Sequence, residues 1–130
     1  MAPKRKIDRA AGQAALNAWR AAAREGSGGI VPRQTLATAV RHALEELAER
    51  RPGNTVEVRV PPFGAAQCVA GPRHTRGTPP NVVEMDAPTW LALATGEMTW
   101  DHAVARHRVT ASGLRADLSG ALPLFGPAAG

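Results

Sequence analysis

The chain has 130 residues, 44% of them apolar, with one cysteine, no tyrosine, and sixteen Lys/Arg against eleven Asp/Glu for a formal charge of +5. A domain of this size buries about two-thirds of the surface its unfolded form exposes, so no disulfide or structural metal is required, and the lone Cys68 excludes an internal disulfide. No apolar run approaches the ~20 residues of a membrane span, and no apolar segment follows the charged opening "APKRK" as a signal peptide would need, so a reducing cytoplasm is the expected location.

The positive excess is at the front. Residues 1–51 carry ten Lys/Arg and five acids, whereas residues 52–130 carry six of each. Residues 1–7 form a basic arm. Asp8 is a suitable cap for an Ala-rich helix over Arg9–Arg24, whose larger apolar groups, Leu16 and Trp19, share a face through which it can dock. "EGSGG" (25–29) breaks that helix, which makes 1–29 an N-terminal extension of arm, helix and Gly-rich linker. A main domain over 30–125 and a frayed tail at 126–130 complete the chain.

Pro32 opens the second helix, in which Leu36, Val40, Leu44 and Leu47 form an apolar stripe opposite Arg41, Glu45, Glu49 and Arg50. "RPGN" (51–54) ends it, and the period drops to two. Val56, Val58 and Val60 alternate with Thr55, Glu57 and Arg59 as a half-buried strand. After the Pro61-Pro62 turn and Gly64, "AAQCVA" (65–70) reads as a strand of small residues that a helix or a ligand could approach closely. "NVVEM" (81–85) is a further strand. Asp86 caps a short helix with Pro88 in its first turn and Gly96 at its end. Thr99 caps another, in which Trp100, Ala103 and Val104 share a face. "RVTASG" (108–113) is a short strand. Leu114, Leu118, Leu122 and Phe125 suggest a final short helix broken by Gly120 and Pro123. The class is α+β, with an antiparallel sheet of about four or five strands covered by helices on one face.

Two groups carry candidate chemistry. Trp90, Leu93, Met98, Trp100, Val104, Leu118, Leu122 and Phe125 could wall a pocket for an apolar ligand, Met98 supplying an adaptable thioether; they could equally touch only each other as core. Arg73, His74 and Arg76, between glycines and prolines, could contact an anion through planar guanidinium forks, or belong to a solvated turn. Metal binding is not expected: no C-x-x-C or H-x-x-x-H spacing occurs, and His102 and His107, five apart, fall about 140° apart around a helix. Spacing leaves a Cys68–His74 nucleophile pair open, with a buried, inert Cys68 the preferred reading. Asp86 and Thr99 are explained as caps, and no carboxylate pair asks for acid–base catalysis. The "PKRK" arm could touch an anionic membrane surface transiently. Nucleic acid is not an expected partner, because no stacking aromatics or recognised binding motif accompany the charge.

The stretch "NVVEMDAPTWLALATGEMTWDHAVARHRVTASG" (81–113) resembles the sterol carrier protein type-two family, in a bacterial sterol-carrier-like form. The resembling pieces are the strand at Val82–Met85, the Asp86-led helix with Trp90, Leu93 and Gly96, the Trp100–Ala105 helix, and the Val109–Gly113 return. With "VRVPPFGAAQC" and "SGLRADLSGALPL" the resemblance extends over roughly 33–124. His107 stands where the family usually has Gly, and the segment before Val82 is rich in Arg and Pro. The resemblance implies a non-catalytic carrier for a lipid or acyl-like molecule, held between the sheet and C-terminal helices, with the Arg73–Arg76 loop near the mouth. No catalytic residue and no cofactor are expected. The alternatives are an interaction module whose apolar groove takes a partner helix or a second copy of the chain, and, more remotely, a small-molecule enzyme.

Overall fold

Asp8 accepts a hydrogen bond from the Ala11 amide at 3.0 Å and starts helix α1, Arg9–Arg24. Helix α2 runs Arg33–Arg50, followed by strands β1 (Val56–Val60), β2 (Gly64–Cys68) and β3 (Asn81–Met85). Helices α3 (Ala87–Thr95) and α4 (Trp100–Ala105) and strand β4 (Val109–Ser112) complete the order. The computed structural model describes residues 5–26, 30–71 and 81–127. The first four residues of the basic arm, residues 27–29 of the Gly-rich linker, the Arg73–His74–Arg76 segment and the last three residues of the tail lie outside that range.

The four strands form one sheet in the order β2-β1-β3-β4. Its edges are antiparallel, but the central pair, β1 and β3, is parallel. The sheet is therefore mixed, not the wholly antiparallel one expected from short connections between consecutive strands. The twelve residues between Cys68 and Asn81 explain the difference. A connection of that length can carry the chain from one edge past β1 to its far side, which a tight hairpin cannot.

Register puts Val56, Val58, Val60, Cys68, Val83 and Met85 on one face, all buried. Glu57, Arg59 and Glu84 occupy the other face, where the Arg59 guanidinium pairs with Glu57. The helices cover the apolar face. Val40 and Leu47 of α2 and Trp90, Leu91 and Leu93 of α3 are completely buried in the same core. The Trp90 indole N–H donates to the Val40 carbonyl at 3.3 Å, tying α3 to α2.

Helix α2 is buried on a second side as well, and there the single-stripe reading falls short. His42 and Glu46 are 3% and 9% exposed because α1 lies over them. A Cβ on Gly12 would sit 2.3 Å from His42 Nδ1, so the crossing tolerates only glycine. Arg5 donates to His42 Nδ1 at 2.7 Å and pairs with Glu46 and Glu49 at 3.4 Å each. Arg9 also reaches both carboxylates, and Arg50 reaches Glu46 at 2.6 Å. Leu16 and Trp19, at 0% and 4% exposure, carry α1 into the common core.

Helices α3 and α4 start as their sequences foretell. Asp86 accepts from the Thr89 amide at 2.9 Å and Thr99 from the His102 amide at 3.1 Å. They end alike too. Glu97 N donates to Ala92 O and Arg108 N to Ala103 O, around a left-handed residue: Gly96 (φ 79°) in one case and His107 (φ 55°) in the other. The final helix expected over 114–125 does not form. Asp117 takes the Ser119 amide at 2.8 Å in a local turn, and Pro123 lacks an amide hydrogen. Leu124 N and Phe125 N instead both donate to Ala94 O at 2.9 and 3.0 Å, strapping the segment to α3.

Replacing Gly12 by Ala should lower stability by about 1–3 kcal/mol, despite alanine's better helix propensity, because the methyl meets the His42 ring; urea unfolding measures this. A second expectation concerns pH. Burial first, and then the Arg5 cation, hold His42 below the ordinary imidazole value of 6.5. Between the folded and unfolded values the unfolded chain binds more protons, so this contribution is complete above 6.5 and is lost as pH falls. Urea midpoints at about pH 7.5 and about pH 5 should differ, and His42→Gln should shrink the difference.

Candidate functional site

The eight apolar residues singled out in the sequence do not share one wall. Leu93, Met98, Trp100 and Leu122 line a cleft of about 280 Å³ between α3, the start of α4 and the C-terminal strap. Trp90 and Leu118 are completely buried in the core. Val104 is 47% exposed on α4, and Phe125 stacks on His42 with ring centroids 5.4 Å apart. The hollow that these residues could have enclosed beside the sheet is filled at its centre, and the C-terminal side of the cleft is an extended strap instead of a helix.

A larger apolar concavity, of about 430 Å³, lies between α2 and the edge strand β2. Leu44 and Ala48 supply one wall and Gly64–Ala66 the other. It exists because β2 carries almost no side-chain bulk. A Cβ on Gly64 would stand 3.6 Å from Leu44 Cδ1 and 3.8 Å from Arg41 Cγ, in ordinary contact, so a methyl there fits without displacing the helix. The small residues of β2 were legible in the sequence as a place of close approach.

The rim is charged. Arg41 Nε donates to the Phe63 carbonyl at 2.8 Å, and Arg33 lies over the Phe63 ring at 5.1 Å. The backbone amides of Lys6 and Ile7 donate to the two Glu45 carboxylate oxygens at 2.8 and 2.9 Å, which pins the chain ahead of α1 along the groove. Glu45 is thus engaged with two amides, and Lys6 and Arg41 present the cationic groups at the opening. An apolar floor under a rim of two cations, Lys6 and Arg41, and one amide-bonded carboxylate, Glu45, suits a molecule with a greasy body and a polar end.

Cys68 is fully buried on the inner sheet face, and desolvation pushes its thiol up to about 11. It is protonated at neutral pH and closed to solvent, the opposite of what a nucleophile requires. Among the described residues, no three His, Cys, Asp or Glu side chains gather as a metal site would need, and no helix is long and apolar enough to cross a membrane.

With strand β3, the α3–α4 pair and the β4 return in this order, comparison with known families is decisive. Residues 32–124 match the family model described as bacterial SCP ortholog. The chain belongs to that bacterial sterol-carrier-like family. No curated protein matches it. The matched span opens at Pro32 and runs through α2, the whole sheet, α3 and α4 to Leu124. It includes both walls of the α2–β2 groove and the cleft at Trp100, whereas α1 and the Lys6–Ile7 rim precede it. His107, just before the last strand, holds a left-handed backbone (φ 55°), the conformation that favours glycine.

Cys68 should resist alkylation at pH about 8 in the native protein and react fully in denaturant, as mass spectrometry of the adduct would show. Rapid native labelling would contradict the burial described.

Proposed function

We propose that this protein is a non-catalytic binding or carrier protein for a small apolar or amphipathic molecule of lipid or acyl-like character, acting in the cytoplasm. The observation that carries the reading is the α2–β2 groove, which has an apolar floor of Leu44, Ala48 and Gly64–Ala66 and a rim bearing Lys6 and Arg41 beside the amide-bonded Glu45. Its volume of about 430 Å³ falls within the range of small-molecule sites, roughly 300–1,000 Å³, and the 280 Å³ cleft at Trp100 falls just under it. The apolar body of the ligand lies along β2 and its polar end meets the rim. Burying ten methylenes yields ~8 kcal/mol of gross transfer energy before ordering costs, enough for useful affinity. Membership of a sterol-carrier-like family supports a carrier role, and the protonated, inaccessible Cys68 supports one without catalysis.

Native mass spectrometry of freshly purified protein should show a bound molecule of a few hundred daltons, released on denaturation. Gly64→Leu should remove that adduct while changing stability by less than about 1 kcal/mol, because a Cβ at 64 meets only ordinary contacts and the position is exposed on an edge strand. An apo mass for the native protein, or an adduct retained by Gly64→Leu, would refute the assignment.

A further inference from the structure

Helix α1, the C-terminal end of α2 and the strap enclose a cleft of about 630 Å³ in which three arginines converge: Arg20, Arg24 and Arg50. Gln13 and Asn17 lie along the same α1 face, and Phe125 provides an apolar side. No Asp or Glu lines this cleft. That departs from the rest of the α1–α2 seam, where Arg5, Arg9 and Arg50 all find Glu46 or Glu49.

Arg20 is the informative residue. It is only 5% exposed, and among the described residues its guanidinium is anchored by one hydrogen bond, 2.6 Å from Nη2 to the Gly126 carbonyl. A carbonyl orients the fork but does not neutralise it, and a buried cation without a counter-charge is costly. Arg24, one turn on, has no acidic partner among the described residues. Like charges spaced four apart on a helix repel. Arg50 gives its Nε to Glu46. An adjoining hollow of about 420 Å³ shares Arg20 and Arg24 and adds Thr95 and Glu97, yet no ion pair joins Glu97 to either arginine among the described residues. Among the described residues, positive charge gathers around a buried guanidinium, and neither Glu97 nor Glu25, the exposed C-cap of α1, forms an ion pair with it.

We propose that this cleft is a binding site for a phosphomonoester group, whose doubly charged, multi-acceptor head is held by Arg20 and Arg24 with Arg50 completing the cradle, and whose organic part rests on Phe125. Guanidinium forks match phosphate oxygens in pairs, and a dianion offsets both uncompensated charges. The site is separate from the α2–β2 groove, so neither depends on the other being occupied. A phosphomonoester can belong to a soluble metabolite or to the headgroup of phosphatidic acid.

The test uses the full chain with phenyl phosphate as the soluble probe, titrated at constant ionic strength against chloride while the arginine side-chain N–H resonances are followed. In parallel, vesicles of phosphatidylcholine with and without phosphatidic acid are assayed by cosedimentation. Saturable shifts of Arg20, Arg24 and Arg50 with phenyl phosphate assign a soluble ligand. Cosedimentation that requires phosphatidic acid, without a response to phenyl phosphate, assigns the headgroup. Arg24→Gln should weaken whichever binding is seen by about tenfold, the loss of one charge-assisted contact, without altering the melting temperature of the unliganded protein. Arg106→Gln, the same charge change at the exposed C-cap of α4, should leave binding unchanged. No response to either probe, or equal weakening by both variants, overturns the proposal.

Discussion

Helix α2 is the element that the outer helix, the sheet and α3 all meet. On one side it meets the apolar face of the sheet, and on the other it accepts α1 so closely that Gly12 has no room for a methyl group over His42. Such contact removes two polar residues, His42 and Glu46, from water, which is tolerable only because Arg5, Arg9 and Arg50 reach in to meet them. The same helix gives its Val40 carbonyl to the Trp90 indole, so α3 is positioned by a bond to α2 as well as by burial. Sheet, outer helix and inner helix are thus three layers with one shared element.

That arrangement explains how charge is distributed over the surface. The N-terminal half owns only five acids, and four of them are committed locally. Asp8 caps α1, Glu45 holds the Lys6 and Ile7 amides, and Glu46 and Glu49 bind Arg5 and Arg9. The fifth, Glu25, is the exposed C-cap of α1 beside Arg24, and among the described residues it forms no ion pair with Arg20 or Arg24. The carboxylates that fasten the start of α1 are the ones its end lacks.

What the sequence made legible was local. Asp8, Asp86 and Thr99 each cap a helix through the bond their side chains favour, and the alternation of Val56, Val58 and Val60 fixed which strand face is buried. What escaped it was decided at a distance. The parallel pairing of β1 with β3 depends on where a twelve-residue connection leads, not on the composition of either strand. Burial of His42 and Glu46 depends on a second helix covering a face that reads as polar. Around 114–125 the leucine spacing favours a helix, but two amides are captured by the Ala94 carbonyl. The candidate sites divide the same way: the small residues of β2 announced space, whereas the meeting of Arg20 and Arg50, thirty positions apart, followed from how α1 folds back.

The three indoles occupy separate joints. Trp19 sits in the α1 seam, Trp90 bridges α3 to α2, and Trp100 borders the strap cleft, each at most 9% exposed. With no tyrosine in the chain, near-ultraviolet emission comes almost wholly from these three fluorophores. Peeling α1 away would wet Trp19 and leave the other two dry, whereas loosening the strap would reach Trp100 first. Light therefore reads each layer of the molecule separately, with no label attached.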